Sequence, residues 1–598
     1  MNRVGSDYVC AVRQYTRHYA SEVFMKRFLY LIFAFMLTAP LFTLAAASAH
    51  DEALSKDYSA FRVDPASVGS KGISPMSGTF ISPWLYNGFT DDEWEREISE
   101  WKLLGIEYII MADVATVSID DDYSIQAAFP TRLEGAAQTS DSVTKIFEKC
   151  SANDIKVIIG TGNTSGGWGY IDVTSSANVE TFKKVCARFA DIAEDIYGIY
   201  YDKYKDSFAG FYFAPELFNS SQVDNEGSRK RYVEGLTAGI DVLLDRLTEL
   251  DGSIPFFMSP YVNLFGGSWV SKNYDNLAKF WSEFFAAGHF RDGDVLIPQD
   301  SCGAGGCDTA HLEDMMKAYR KGVDECGKDI KLWSNCEIFI QPEDLEETGF
   351  VTWSTMPIGD MIEHFYIASK YADRIFTFAY PHYLGTVTTV DGYYNTYIDY
   401  LKTGVLDSEP PEAPDTFRTM FNNVGGTMCL NVYWSGMYDN YGVHRINIYK
   451  NGELLTFRLP IRKDYASARS SYPNNFYDLT YTEATTETVT YEFEAVDCAG
   501  NVSERTTLVV EPGSVPNGVK LGSPYTGPET VSETSETSAG EESEINGSVH
   551  ESGISENAAQ SEEAPSEGRT GLIIGICCGI AAAAAVTAGV LLGRRKKK

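Results

Sequence analysis

Between Ser77 and about Gly404, short apolar runs rich in β-branched and aromatic residues alternate with longer stretches whose apolar residues recur at three- and four-residue spacing. The first pattern is typical of buried strands and the second of amphipathic helices. The apolar runs predict strands that begin at Gly78, Glu107, Lys156, Phe208, Ile254, Asp294, Ile330 and Arg374. The periodic stretches predict helices over Asp91 to Leu104, Ser140 to Ala152, Ala177 to Tyr204, Ser228 to Leu250, Asn276 to Ala287, Thr309 to Cys326, Ile358 to Ala372 and Tyr394 to Lys402.

Strands that are each followed by a helix, repeated eight times, predict one closed architecture. Such a repeat forms a (β/α)8 barrel of about 250 residues or more, and we assign residues 77–405 to it. A doubly wound open sheet is the alternative, but none of the predicted turns carries its G-x-G-x-x-G fingerprint. The predicted fold class is therefore α/β, with a TIM barrel as the main domain and the candidate for catalysis.

A different pattern begins after the proline-rich hinge at Pro410. Strands of alternating apolar and polar residues, joined by tight turns such as Asn451-Gly452, continue to about Pro512. Short alternating strands over about 100 residues indicate a small all-β sandwich, which we assign to residues 410–512. The run YEFEAVDCAGNVS, which begins at Tyr491, resembles the penultimate strand and last turn of fibronectin type III or immunoglobulin-like modules.

The amino-terminal segment has the pattern of an export signal. From Met25, a basic start, an apolar stretch and an Ala47-Ser48-Ala49 end predict a signal peptide that is cleaved before His50. We interpret residues 1–49 as leader and signal peptide and residues 50–76 as an N-terminal extension. An uncleaved N-terminal anchor is the alternative.

The carboxyl-terminal segment predicts a stalk and an anchor. Residues 513–569 are rich in Ser, Glu and Thr and nearly free of aromatics, which predicts a disordered stalk. Residues 571–593 are apolar and long enough for one transmembrane helix. The basic residues 594–598 that follow are typical of a cytoplasmic tail. We therefore predict a secreted protein that is anchored in a bacterial cell membrane with its ectodomain outside.

Charge and cysteine content exclude some classes of protein. The formal net charge is −34 at pH 7, whereas nucleic-acid binding needs clustered Lys and Arg, so we predict no nucleic-acid partner. Cys302 and Cys307 flank a glycine-rich loop and could close a small disulfide. Together with Cys336 they could instead bind a metal, but ligand spacing of the zinc type is absent. We predict neither a metal site nor a cofactor.

Few acidic residues stand where a barrel of this kind carries catalytic groups, at the carboxyl ends of its strands. Glu216 ends the fourth predicted strand, Asp300 the sixth and Glu337 the seventh, while Asp113 ends the second. Glycosidic cleavage needs two carboxyl groups, one protonated as general acid and one ionised as nucleophile or base. Glu216 and Glu337 fit that need as the predicted catalytic pair. Asp300 and Gln299 are predicted to orient substrate hydroxyls.

The segments GFYFAPEL, FFMSPY, LIPQDSCG and KLWSNCEIF lie in this order on successive predicted strands. Together they resemble the DUF4434 family of bacterial barrel proteins over about residues 77–405. The two glutamates are also similar in position to those of the largest superfamily of retaining barrel glycosidases, although Pro215 replaces the usual Asn. This resemblance implies Glu216 as general acid/base and Glu337 as nucleophile or base. The DUF4434 resemblance implies a glycosidase-like barrel, and the matching positions are Glu216, Ser259, Gln299, Asp300, Trp333 and Glu337.

Aromatic residues at or after the strand ends suit a carbohydrate, because sugar rings present apolar C–H faces that stack on aromatic side chains. The sequence therefore predicts a surface-anchored glycoside hydrolase that binds an oligo- or polysaccharide. The alternative is a non-catalytic surface glycan-binding or adhesion protein, for which the stalk and anchor are equally suited. The predicted substrate-binding side chains of the rim are Tyr261, Trp84, Trp333, Tyr380 and His382.

Overall fold

Parallel strands form a barrel at the centre of the computed structural model, which describes residues 76–341, 354–424, 427–460, 473–481 and 487–511. The barrel strands are β1 (Gly78–Ile81), β2 (Tyr108–Met111), β3 (Lys156–Gly160), β4 (Phe208–Phe213), β5 (Phe256–Met258), β6 (Val295–Leu296), β7 (Lys331–Leu332 and Ser334–Glu337) and β8 (Ile375–Phe378). Each strand pairs in parallel with its neighbours in chain order, and β8 pairs with β1.

The two pieces of β7, which Trp333 separates, complete the ring. The first piece pairs with β6 and the second with β8. A parallel bridge between Gln299 and Asn335 extends the contact between β6 and β7 toward their carboxyl ends. The strands predicted from the apolar runs are all present, so the predicted barrel is confirmed.

Helices cover the outside of the barrel, close to the predicted ranges. Helix α1 starts with a capping box, in which the backbone N–H of Glu93 donates to Thr90 Oγ1 and that of Thr90 donates to Glu93 Oε2. Gly105 ends α1 with a φ of 81°. The helices are α1 (Asp91–Leu104), α2 (Ser142–Ser151), α3 (Ser176–Tyr200), α4 (Glu226–Asp251), α5 (Tyr274–Ala287), α6 (Thr309–Glu325), α7 (Ile358–Ser369), α8 (Tyr380–Tyr383) and α9 (Asp391–Thr403).

Two hydrophobic layers hold the barrel together. One lies between the strands and the helices, where α1 buries Trp94 and Trp101 and α5 buries Trp281. The other fills the inside of the barrel. Side chains of successive strand positions point alternately to these two layers, as the two-residue period of a strand requires.

The loops that follow the barrel strands contain short strands and 3-10 helices. After β2 and β3, a small sheet forms from Ala137–Gln138, Ser124–Ala127, Ala115–Ser118 and Asn163–Thr164. After β7, Phe339–Ile340 pairs with Ser354–Thr355. Short 3-10 helices span Pro83–Gly88, Gly169–Ile171 and Ser221–Asp224.

The residues after the barrel form two antiparallel sheets. Their strands are β9 (Thr416–Val424), β10 (Thr427–Ser435), β11 (Val443–Lys450), β12 (Glu453–Arg458), β13 (Asn475–Asp478), β14 (Val489–Asp497) and β15 (Thr506–Val510). One sheet has the order β9-β10-β13 and the other β12-β11-β14-β15. Both contribute to one hydrophobic core that includes Val432, Ile446 and Phe493, as the predicted small β domain requires. Its kinship with fibronectin type III or immunoglobulin-like modules stays a prediction.

The β domain packs against the outside of the barrel. Tyr393 on α9 shares a hydrogen bond of 2.9 Å between its hydroxyl and His444 Nδ1, and the backbone N–H of Ile358 donates to the Cys498 carbonyl. The predicted signal peptide, N-terminal extension, stalk, transmembrane helix at 571–593 and basic tail lie outside the described residues. Among the residues that are described, no helix combines the length and the apolar character needed to cross a membrane.

Candidate active site

Three of the acids predicted from the sequence gather at the carboxyl-terminal mouth of the barrel. Glu216 follows β4, Asp300 follows β6 and Glu337 is the last residue of β7. Parallel strands bring their carboxyl ends to the same side of a barrel, so the three carboxyl groups meet there. All three side chains are nearly enclosed, because Glu216 is 6% exposed, Glu337 3% and Asp300 0%.

A short loop of residues 301–307, which we call the glycine loop, holds the carboxylate of Glu337. The backbone N–H of Ala304 donates to Glu337 Oε2 over 2.7 Å, and that of Gly303 also donates to this carboxylate. Gly303 allows the close approach, since a β-carbon there would lie 2.2 Å from the Phe339 carbonyl oxygen and 3.1 Å from Glu337 Oε2. The glycine loop therefore positions one of the two predicted catalytic groups.

Asp300 lies beneath Glu337 and ties the glycine loop to β7. Its Oδ1 accepts hydrogen bonds from the backbone N–H groups of Glu337 (3.1 Å) and Cys302 (3.2 Å). Sequence reasoning predicted that Asp300 orients substrate hydroxyls. Because its side chain has no exposed surface and its Oδ1 is used by the backbone, we correct this to a positioning role.

The three acids interact electrostatically. Burial raises the pKa of Glu337 well above its usual value, and the charges of Asp300 and Glu216 raise it further. The backbone N–H groups of Gly303 and Ala304 in the glycine loop act in the opposite direction and lower this pKa. Burial raises the pKa of Asp300 to about 7. Glu216 is thus within electrostatic range of Glu337. Acids that repel one another lose their protons in separate steps, so the cluster is not fully ionised at neutral pH.

Three of the predicted rim side chains do lie at this mouth. Trp84, after β1, is 38% exposed, and its ring centre is 5.7 Å from that of His382, which follows β8. His382 Nε2 is 3.4 Å from Ser82 Oγ. Tyr261, after β5, packs on the glycine loop, since a β-carbon at Gly306 would lie 2.6 Å from its hydroxyl oxygen. These side chains remain candidates for substrate contact.

Gln299 is largely buried close to the same mouth. Its Nε2 donates to the Ser259 carbonyl over 3.4 Å, and its backbone N–H donates to the Pro260 carbonyl over 3.0 Å. Ser259 Oγ in turn accepts from Asn335 Nδ2 over 3.3 Å. The polar groups that follow β5 and β6 and the Asn335 side chain on β7 thus form one connected layer below the mouth.

Two other predictions for the rim are wrong in position. Trp333 lies inside the barrel, stacked on Phe376 with ring centres 5.0 Å apart, and touches Tyr108 at the start of β2. It therefore fills the amino-terminal half of the barrel and does not line the mouth. Tyr380 is fully buried and its hydroxyl donates to Glu100 on α1, so it joins the outer layer of the core.

One titratable side chain close to the acids had no signal in the sequence. His364 on α7 is nearly buried, and its Nδ1 lies 3.6 Å from Asp300 Oδ2. Its Nε2 is 3.1 Å from Thr309 Oγ1 at the start of α6. The sequence alone does not reveal that a lone histidine in a helical pattern lies next to a strand-end acid. His364 and Asp300 are far apart in the chain, and only the folded barrel brings them together.

A shallow surface depression of about 810 Å³ lies on the loops after β4 and β5. Its lining includes Asp224, Lys272, Asn273 and Asn276. An antiparallel bridge between Ser220 and Val270 connects these loops. The depression therefore adjoins the loop that begins at Glu216, but it does not contain either predicted catalytic glutamate.

The barrel domain, including its three acids, lies within the part of the chain that matches a protein-family model. The model of DUF4434, described as a domain of unknown function, matches residues 76–388, more than half of the chain. The chain belongs to the DUF4434 family. This is the family that the segments around Glu216 and Glu337 resemble, and its match spans the three acids and the glycine loop. A comparison with curated proteins finds no match.

Solved structures similar to this DUF4434 protein share little sequence with it. The xylanase TsXylA of Thermoanaerobacterium saccharolyticum is 10% identical, with 50% of this chain and 85% of that chain covered and a TM-score of 0.30. Chitinase ChiA74 of Bacillus thuringiensis is 11% identical, with coverages of 73% and 84% and a TM-score of 0.31. Bacteroides uniformis β-glucuronidase 2 is 10% identical, with 71% of this chain and 44% of that chain covered and a TM-score of 0.30. At such TM-scores we take neither activities nor residue roles from these proteins.

Proposed function

We propose that this DUF4434 protein is a glycoside hydrolase in which Glu216 and Glu337 cleave the glycosidic bond. The observation that carries the proposal is the meeting of two enclosed carboxyl groups, from β4 and β7, within electrostatic range at the carboxyl-terminal mouth of the barrel. Catalytic groups of such barrels belong to this face. A pair of carboxyl groups is also what the hydrolysis of a glycoside requires.

The two carboxyl groups are electrostatically coupled, because the charge of Glu216 adds to burial and to the charge of Asp300 in raising the pKa of Glu337. One carboxyl group must hold a proton for the leaving oxygen while the other is ionised. Repulsion between two nearby carboxylates favours states in which the pair keeps one proton. In our proposal Glu216 is the general acid/base, and Glu337 is the nucleophile or base that the N–H groups of the glycine loop stabilise when it is charged.

The exposed aromatic side chains at the mouth support a carbohydrate substrate. Trp84 offers a ring face beside His382, and Tyr261 lies against the loop that holds Glu337. We further propose that the enzyme works at the outer surface of a bacterial cell, exported by its signal peptide and anchored by residues 571–593. A stalk of residues 513–569 would hold the barrel away from the bilayer.

The decisive experiment compares the full chain with Glu216→Gln and Glu337→Gln on a panel of cell-wall, mucin and plant polysaccharides. Release of new reducing ends by the unchanged protein is expected, with a loss of at least about a hundredfold in each variant. The exposed Glu325→Gln on α6 is the matched control and should keep full activity. Near-normal turnover in both site variants would contradict the assignment.

Chemical rescue then separates the two roles. With an activated aryl glycoside and azide, a Glu337→Gly variant should form a glycosyl azide of inverted anomeric configuration, because azide takes the place of the missing nucleophile. A Glu216→Gly variant should form the retained anomer, because the nucleophile still acts first. If the two products are exchanged, the roles are reversed. If the unchanged enzyme inverts configuration, Glu337 acts as a base on water.

A non-catalytic glycan-binding protein is the second candidate. The observation that favours it is the low exposure of both glutamates, 6% and 3%, which leaves little surface for a bond between them. Saturable binding of a polysaccharide that yields no new reducing ends after long incubation would support this function and defeat the hydrolase. In that case Glu337→Gln should bind as well as the unchanged protein.

A further inference from the structure

Asp300, Cys302 and His364 converge beneath Glu337 although they come from different elements. Asp300 follows β6, Cys302 belongs to the glycine loop and His364 lies on α7. One oxygen of Asp300, the sulfur of Cys302 and one ring nitrogen of His364 all lie within 4.8 Å of one another. Asp300 and His364 are buried and Cys302 is half-buried, so the three polar atoms share an enclosed space.

The carboxylate of Asp300 uses only one of its oxygens for hydrogen bonds. Oδ1 accepts from two backbone N–H groups, whereas the buried Oδ2 has no hydrogen-bond partner among the described residues. Two ionisable side chains lie near this carboxylate, the thiol of Cys336 and the ring of His364. His364 Nδ1 is 3.6 Å from Oδ2, which is too long for a hydrogen bond. A fully buried carboxylate oxygen without a partner is costly, which points to a ligand that this oxygen meets.

His364 is oriented to present its Nδ1 toward this oxygen. Its Nε2 is 3.1 Å from Thr309 Oγ1, and a hydrogen bond there fixes the ring. Metal-binding histidines commonly use one ring nitrogen for the metal and hold the other with a hydrogen bond of this kind. Cys302 completes the set from the loop side, where its backbone N–H already donates to Asp300 Oδ1.

We propose that Asp300 Oδ2, Cys302 Sγ and His364 Nδ1 bind a divalent transition metal ion, with Zn²⁺ as the best fit. Zinc bonds of about 2.0 to 2.3 Å place tetrahedral ligand atoms about 3.3 to 3.7 Å apart, and Asp300 Oδ2 and His364 Nδ1 are 3.6 Å apart. A thiolate and an imidazole disfavour Ca²⁺ and Mg²⁺, which take oxygen ligands. Three protein ligands leave a fourth position for water.

The site explains how the glycine loop is held. A metal ion bound to Cys302 and to His364 would fasten residues 301–307 to α7, with the N–H groups of Gly303 and Ala304 aligned on Glu337. The proposal does not depend on glycoside hydrolysis, because it rests on the ligand atoms alone. Its competitor is a disulfide with Cys307, whose thiol lies beside that of Cys302.

The test uses the full chain, kept reduced and stripped of metal with a chelator. Titration with Zn²⁺ in a calorimeter should show one tight site per chain. Replacement by Co²⁺ should give a thiolate-to-cobalt charge-transfer band in the near ultraviolet, which reports ligation by a cysteine. The absence of saturable Zn²⁺ binding, or a Co²⁺ complex without that band, would overturn the proposal.

Variants identify the ligands. Cys302→Ser and His364→Gln should each weaken Zn²⁺ binding by at least about tenfold, and Cys302→Ser should also remove the charge-transfer band. Asp300→Asn keeps an oxygen for the two backbone N–H groups and replaces only the atom that faces His364, so it should fold and still lose the metal. Circular dichroism checks the fold of each variant.

Cys307→Ser is the matched control. It retains a thiol at Cys302, prevents the competing disulfide and should bind Zn²⁺ as tightly as the unchanged reduced protein. If Cys307→Ser loses the metal as completely as Cys302→Ser, or if the folded Cys302→Ser variant binds Zn²⁺ with unchanged affinity, the ligand set is wrong and the proposal fails.

Discussion

Gly303 is the position where one methyl group should disturb the candidate site most selectively. A β-carbon there would lie 2.2 Å from the Phe339 carbonyl oxygen and 3.0 Å from Glu337 Cβ, so Gly303→Ala must push the glycine loop away from β7. Overpacking of this kind costs about 1 to 3 kcal/mol. Weakening the 2.7 Å hydrogen bond from Ala304 to the Glu337 carboxylate adds a further loss, and we expect about 2 to 4 kcal/mol less unfolding free energy in total.

Urea unfolding measures this change without any assumption about the substrate. Gly305→Asn is the control from the same loop, since Gly305 has a φ of +69°, which Asn tolerates, and no atom lies within 4 Å of its β-carbon position. It should cost less than about 1 kcal/mol. If Gly303→Ala is as stable as the unchanged protein, the contact between the glycine loop and Glu337 does not have the geometry described above. Where turnover is found, it should fall in Gly303→Ala and persist in Gly305→Asn.

Two further predictions concern the core and the rim. Burial raises the pKa of Glu97 on α1 to about 8. This folded-state pKa lies above the unfolded value, so protonated Glu97 stabilises the fold at acid pH. That stability is lost as the pH rises from about 4.5 to 8. Glu97→Gln should remove this decline, which urea unfolding across that pH range measures against the unchanged protein. Trp84→Ala should weaken carbohydrate binding about two- to tenfold at unchanged stability, because its ring is partly exposed; equal affinity in a binding titration would remove Trp84 from the site.

The barrel could be predicted because its pattern is local. Each strand is a short apolar run and each main helix a periodic stretch, so the alternation of the two specifies the architecture before any contact is known. Helix ends followed from local chemistry as well, as the Thr90 capping box and Gly105 show for α1. The prediction failed in detail where tertiary contacts decide, for example at Tyr204, which leaves α3 and stacks on Phe147.

Side chains of the site were harder to predict than the strands that carry them. Trp333 and Glu337 are four positions apart along β7, so the two-residue period of a strand directs both to the same face. Four residues of strand span about 13 Å, however, which puts Trp333 near the opposite end of the barrel. Tyr380 follows β8 as predicted, but the short helix α8 turns its hydroxyl back to Glu100. Position along a strand is visible in a sequence, whereas depth in the barrel and the direction of a following turn are not.

His364 shows why the cluster beneath Glu337 escaped sequence reasoning. Zinc sites are recognised in sequences by pairs of ligands at close spacing, and here only Asp300 and Cys302 are near in the chain. The third candidate ligand lies more than sixty residues further on, on the helix that follows β7. In the barrel β6 and β7 are neighbours, and α7, which packs against β7 and α6, brings His364 to Asp300 after β6. The ligand set is therefore a product of barrel closure, and a sequence that specifies the barrel also assembles the cluster without leaving a linear motif.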